Sequence, residues 1–139
     1  NKIYVTGDHT KEPVVLGIPY CFRIQLGTIY IRQEDRSGGL KAVTNGRLQI
    51  RSIDLNYSET GAFVAKVKSH HHTYTYTMTN KEIGQMVFGA VTFDTGSFRI
   101  PVQALNTAYE LTIESNMPFP VSLIGFMWKG SFVPRTKGV

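Results

Sequence analysis

The sequence predicts an all-β fold, an antiparallel β-sandwich or barrel-like domain with little or no helix. Val, Ile and Thr make up 37 of the 139 residues and aromatic residues another 12%, and these residue types favour pleated strands over helices. Short segments of alternating polarity are separated by turn residues, and no helical segment between them could carry a parallel crossover. Only residues 80–87 could form a single helical turn, with Asn80 as its cap.

In the first third of the chain, alternation predicts one long, bent pair of strands over residues 20–26 and 29–32, followed by a polar, glycine-rich loop at 34–39. Leu48 and Ile50 then occupy even positions, whereas the next inward residues, from Ile53, occupy odd ones. Because side chains alternate faces along a strand, this change of phase needs one extra residue and predicts a β-bulge near Ser52.

The clearest hairpin joins residues 63–68 to 73–79, with three histidines at its tip. Before it, residues 58–61 predict a tight reversal in which Gly61 adopts a positive φ and the flanking Tyr57 and Phe63 are buried. Pro101 cannot donate a backbone hydrogen bond, so its strand should lie at a sheet edge or a bulge. Further strands are predicted at 87–93, 98–102, 109–114 and 121–128.

The length and composition suit a single β domain over residues 1–139. The chain begins with Asn1 in what reads as a strand already under way, so we expect a fragment of a longer chain. No apolar run approaches the ~20 residues of a membrane-spanning helix, and we expect no membrane insertion. The single cysteine, Cys21, allows no internal disulfide.

No catalytic, cofactor-binding or metal-binding residue is predicted. In the run from His70 to His72 only the first and third side chains share a face, which is too few for a structural metal site, although copies meeting in an oligomer could complete one. No serine lies in a nucleophile elbow. The carboxylates that a fold could bring together are those of Asp54, Glu59, Glu110 and Glu114, and the last two share an outward, solvated face with Thr112. We therefore expect no enzyme and no cofactor.

The net charge of +5 is the remaining clue, and the last 25 residues carry Lys129, Arg135 and Lys137 without any acidic residue. Such cations beside aromatic rings can hold nucleic-acid phosphates while a ring stacks on a base. They can equally keep the surface soluble or meet an acidic neighbouring subunit. Because the arginines are spread over several strands, the pattern does not favour sequence-specific recognition of nucleic acid.

Several strings, taken in order, resemble a known family. They are GIPY at 17–20, GRLQIRSIDLNYSETGAF at 46–63, FRIPV at 98–102 after Gly96 and Ser97, IESNMPFP at 113–120, and GFMWKGSFVPRTK at 125–137. Together they are similar to the C-terminal part of the tail tubular protein B, or nozzle protein, family of short-tailed bacteriophages. The resemblance covers roughly residues 17–139.

This resemblance implies a structural protein of the virion, located in the phage tail. Its family forms a six-fold ring below the portal and adaptor proteins, lines the DNA exit channel, through which DNA passes without being read, and helps to seat the tail fibres. We therefore expect a homo-hexamer. The residues predicted to serve its interfaces or its channel are Arg47, Arg51, Arg99, Phe126, Trp128, Phe132, Arg135 and Lys137, although Trp128 fits a core position equally well.

Two other functions stay open at this stage. A carbohydrate-binding or receptor-binding β-sandwich would need an exposed aromatic face, for which Tyr74, Tyr76 and Tyr109 are the candidates. A cell-wall hydrolase attached to a tail would have to use the four carboxylates named above.

Overall fold

A computed structural model describes residues 2–8, 10–11, 16–79 and 93–135, and over these ranges the chain forms nine strands and no helix. The strands are β1 (Phe22–Leu26), β2 (Arg32–Glu34), β3 (Leu40–Ala42), β4 (Gly46–Thr60), β5 (Ala62–Ser69), β6 (Thr73–Thr79), β7 (Asp94–Leu105), β8 (Tyr109–Ser115) and β9 (Ser122–Pro134). The described part therefore contains no helix that could span a membrane. The helical turn predicted at 80–87 and nearly all of the strand predicted at 87–93 lie outside it.

The strands form three antiparallel sheets, which confirms the predicted all-β class. Their orders are β1-β8-β5-β6 for a four-stranded sheet, β7-β4-β9 for a three-stranded sheet and β2-β3 for a separate hairpin. Both larger sheets contribute inward side chains to one hydrophobic core, as in a β-sandwich. At its centre Phe63 of β5 makes edge-on ring contacts with Tyr57 of β4 and Phe98 of β7, at centroid distances of 5.8 and 5.6 Å.

The predicted bulge near Ser52 is confirmed. The register of β4 shifts between Ile50 and Ser52 against both of its neighbours, β7 and β9. The extra residue keeps both Ile50 and Ile53 fully buried, which an uninterrupted alternation would prevent. Pro101 pairs with Ser52 at the bulge on β7, which is an edge strand, so its predicted position is confirmed as well.

The reversal predicted at residues 58–61 is a crossing between sheets and not a hairpin, because β4 and β5 belong to different sheets. The positive φ, 43°, lies at Glu59 and not at Gly61, so that expectation was wrong. The N–H of Gly61 instead donates to the carbonyl of Pro120, at 3.0 Å, while the side chain of Phe119 occupies the space that a Cβ would need. Tyr57 and Phe63 are buried on either side of the crossing, as predicted.

The long strand pair predicted over residues 20–32 was also wrong. β1 pairs with β8, more than eighty residues further along the chain, and β2 pairs with β3. Between them Ile29 enters the core, and the side-chain amide of Asn106 donates to its carbonyl at 2.9 Å. The segment 34–39, predicted to be a loop, contains the turn of the β2–β3 hairpin, closed by hydrogen bonds between Asp35 and the two glycines Gly38 and Gly39.

Gly130 of β9 should be the least replaceable glycine of this strand. A Cβ at this position would collide with the carbonyl oxygen of Gln49 beside the bulge. Because this oxygen belongs to the backbone of β4, the strand itself would have to shift. We expect Gly130→Ala to lower the free energy of unfolding by about 1–3 kcal/mol, the usual cost of overpacking. Gly125→Ala, on the same strand, meets no atom within 4 Å and serves as the control. Equal unfolding midpoints for the two variants in denaturant titration would contradict this.

Candidate functional site

The most organised polar surface is the outer face of the β7-β4-β9 sheet, on the side away from the core. Cross-strand pairing places Arg99, Asp54 and Met127 in one row, and Pro101, Ser52 and Lys129 in the next. Arg47 and the bulge residue Arg51 lie on the same strand as Asp54 and are exposed. We call Arg47, Arg51, Asp54, Arg99 and Lys129 together the basic face.

An ion-pair row crosses all three strands at the middle of the basic face. Arg99 Nε donates to Asp54 Oδ1 at 3.0 Å, and Lys129 Nζ lies 3.3 Å from Asp54 Oδ2. The Asp54 side chain is only 12% exposed, whereas those of Arg99 and Lys129 are 60% and 58% exposed. The hydrogen bond from Arg99, assisted by Lys129 and opposed by partial burial, lowers the pKa of Asp54 below its ordinary value.

Positive charge is distributed unequally over the two outer faces of the sandwich. The basic face has four cations and a single carboxylate, and two of the cations contact that carboxylate. On the outer face of the four-stranded sheet, Lys66 is paired with Glu114 and Lys68 with Glu110, at 4.0 Å for the second pair. Arg23 of β1, beside Glu114, leaves this face with one cation more than it has carboxylates. The threonines of β6 extend this second face without adding charge. The chain therefore presents one basic side and one nearly neutral side.

The three aromatic candidates of β9 lie on the other side of the same sheet. Phe126, Trp128 and Phe132 are paired with the core-facing residues Leu55, Ile53 and Leu48 of β4, respectively. Trp128 and Phe132 are half-buried and pack against the core, whereas Phe126 is 44% exposed because β9 is an edge strand. That these three aromatic residues lie at a subunit interface stays a prediction.

The remaining candidates are at the ends of the sheet. Arg135 follows β9 and is exposed, and Lys137 lies outside the described residues. Arg47 and Phe132 line one cavity of about 200 Å³ together with Tyr30 and Asn106. The ring of Phe132 packs directly on Gly46, where no Cβ could be accommodated.

Sequence reasoning did not select the two residues that organise this face. Asp54 was considered only as a possible catalytic carboxylate, and Lys129 only as part of a basic C-terminal segment. The alternation of the sequence places Asp54 on the outer face of a long strand, and a single carboxylate between two neighbouring strands needs a cation. The sequence could therefore have predicted that Asp54 has a basic partner. Naming Arg99 and Lys129 as those cations requires the strand register, which no local pattern contains.

The geometry gives little support to catalysis or to metal binding. Asp54 is ionised and held by two cations, which is unsuitable for a general acid, and Glu110 and Glu114 have lysine partners. The three histidines are exposed at the tip of the β5–β6 hairpin. Within the described ranges no group of three or more His, Cys, Asp or Glu side chains could hold a metal ion.

The tyrosines proposed for a carbohydrate platform do not form an outward face. Tyr74 and Tyr76 are paired with the core-facing residues Val67 and Ala65 of β5, and only Tyr74 is mainly exposed, at 51%. Tyr109 is half-buried, and this burial raises its pKa to about 12. A sugar-stacking surface made from these three rings is therefore disfavoured.

An all-β sandwich does not by itself define a function, and comparison with known proteins supplies the family. The model of the bacteriophage nozzle protein family matches residues 1–139, the entire chain. The chain belongs to this family and is a structural protein of the phage virion tail, as the sequence resemblance indicated. Membership of a structural tail family also favours a non-enzymatic role.

A curated relative is the tail tubular protein gp12 of Escherichia phage T7. It is 28% identical to this chain over 140 residues. The match covers 97% of this chain but only 17% of the relative, so this chain spans about a sixth of that protein's length.

The ion-pair row should make stability depend on pH in the acid range. Because the pKa of Asp54 is lower in the folded chain than its ordinary value of 3.8, its pairing stabilises the fold above that value and is lost as the pH falls through the folded pKa. We expect Asp54→Asn to have a lower Tm than the parent at pH 7, with a difference that shrinks below about pH 4. Glu34→Gln, on the exposed strand β2, is the control for net charge. A difference in Tm that is constant between pH 7 and pH 2 would exclude this role.

Proposed function

We propose that this domain forms part of the wall of the tube through which phage DNA leaves the virion. In this proposal it is one domain, at the C-terminal end, of a longer subunit that assembles into a homo-hexameric ring. Family membership supports the tail location. The observation that carries the proposal is the unequal charge of the two outer faces, because a DNA channel needs one face that is compatible with phosphate.

The basic face suits a wall that DNA passes without being read. Lys and Arg side chains attract phosphates regardless of base sequence, and this attraction weakens as salt rises. Here Arg99 and Lys129 are already engaged by Asp54, which reduces the attraction that each can exert on a phosphate. Arg47 and Arg51 have exposed side chains on the same strand. Such a face attracts DNA weakly and offers no set of base-reading groups, which permits sliding.

The other predicted residues belong in this proposal to protein contacts. A ring requires two different surfaces of each subunit to meet, a heterologous contact. Phe126, Trp128 and Phe132, with Arg135 and Lys137 beyond them, are our candidates for contacts with neighbouring subunits, with the adaptor or with the tail fibres. Phe126 is the most accessible of the three rings.

Electron microscopy of the full-length protein tests the assembly. We expect a six-fold tube, both in the purified protein and in the virion tail. The proposed function would be refuted by a protein that stays monomeric and is missing from purified virions.

Photocrosslinking tests which face meets DNA. A benzophenone side chain at Gln49, an exposed position on the outer side of β4, should crosslink to DNA in virions irradiated during ejection. The same side chain at Thr75, exposed on the outer side of β6, is the matched control and should give at least tenfold less crosslinked DNA. Equal yields at the two positions would contradict the assignment of the basic face to the channel.

A further inference from the structure

The outer edge of β9 is a long row of backbone groups to which no described strand is paired. β9 has 13 residues and pairs with β4 from Ser122 to Pro134. On its other side no strand among the described residues is paired with it. An exposed edge of this length offers N–H and C=O groups to any further strand, and natural proteins usually protect such edges.

β9 has little of the usual protection. Between Ser122 and Val133 it contains one charged residue, Lys129, and no proline. Ile124 is one extra residue of β9 in its pairing with β4. The rest of β9 has no inserted residue. Four large apolar side chains on it are strongly exposed, namely Ile124, Phe126, Met127 and Val133, at 68, 44, 59 and 62%. An exposed apolar edge of this kind is typical of a protein interface.

The opposite edge of the same sheet is open over part of its length. Among the described strands, β7 has only β4 as a partner in its sheet. Its C-terminal half is protected, because Pro101 lacks an N–H group and Gln103 has a φ of 49° at the bulge. Its N-terminal half, residues 94–100, contains no proline. It pairs with β4 in register from Gly96 to Ile100, and the register shifts once between Gly96 and Asp94. Within the described ranges, each copy therefore has two open edges on opposite sides of one sheet.

We propose that β9 of one copy pairs with residues 94–100 of β7 in the next copy, which joins the three-stranded sheets of successive copies into one continuous sheet. The occupant of the β9 edge is thus a second copy of this chain. Because the two edges lie on opposite sides of the sheet, repeated addition is a heterologous contact that can close into a ring. Both strands are antiparallel to β4 and hence parallel to each other, so the new pairing is parallel.

This inference rests on the proposed ring and extends it. With the four-stranded sheet of every copy on the outside, the basic face lines the inside of the joined sheet without interruption. Six copies would supply eighteen strands, and closed sheets of about 16–18 strands enclose an aqueous channel. The joining would also cover Phe126, the core-facing ring that an edge strand leaves 44% exposed.

Crosslinking in the full-length protein tests the pairing directly. In a background with Cys21→Ser and no other cysteine, we combine Met127→Cys on β9 with Ser97→Cys on β7, two exposed positions on the basic side of the sheet. A short bismaleimide should give a ladder of covalently linked copies. The control combines Met127→Cys with Thr77→Cys on β6 and should give at least tenfold less. Equal ladders would overturn the proposed pairing.

A second pair of variants tests the edge itself. Ile124→Lys places a charge on the open edge of β9. Leu40→Lys replaces another apolar residue by lysine on β3, where the exposed fraction of Leu40, 69%, matches that of Ile124, 68%. We expect the first variant to shift rings to smaller species at least tenfold more readily on dilution, measured by sedimentation, and the second to behave as the parent. If both variants keep their rings equally well, β9 is not the subunit edge.

The two proposals fail in different ways. A six-fold tube that gives no β7–β9 ladder overturns this inference but leaves the proposed function intact. A protein that forms no tube and is missing from virions overturns the proposed function itself.

Discussion

The central strand β4 is the element on which the rest of the fold depends. It is 15 residues long and pairs along most of its length with both β7 and β9. Its bulge at Arg51 and Ser52 allows Leu48 and Ile50 on one side, and Ile53, Leu55 and Tyr57 on the other, all to enter the core. Without the extra residue, one half of the strand would turn its apolar side chains to solvent. Pro101 and Gly130 accommodate the same irregularity on the two neighbouring strands.

Because β4 has its apolar residues inside, its polar residues form the middle of the opposite face. There Asp54 lies between β7 and β9. Its carboxylate is held by Arg99 of β7 and Lys129 of β9. Because Arg99 and Lys129 are largely exposed, their pairing with the nearly buried Asp54 contributes only modestly to stability. The row also determines the character of the surface. It holds two long cations across three strands and leaves a positive face, as the proposed channel wall requires.

The same sheet links the fold to assembly. A sandwich resists edge-to-edge association when its edges are defended. Among the described residues, this sheet defends only the half of the β7 edge that contains Pro101 and Gln103. The undefended parts carry exposed apolar residues on β9, such as Met127. A domain built to stay monomeric would be expected to place charge or proline there. The nozzle family to which the chain belongs is part of an assembled tail, where an open edge is an advantage.

Local residue pattern was enough to predict the all-β class, the bulge near Ser52, the edge position of Pro101 and the hairpin of β5 and β6, because alternation and turn chemistry act over a few residues. It also placed Arg47, Arg51 and Arg99 on outward phases. It failed where partners had to be chosen, as when residues 20–32 were expected to form one pair of strands, and it placed the positive φ of the reversal at Gly61 and not at Glu59. Backbone hydrogen bonds between strands are the same for every sequence, so partner and register follow from the burial of whole sheets. Only the tertiary structure therefore decided that Arg99 and Lys129 meet at Asp54.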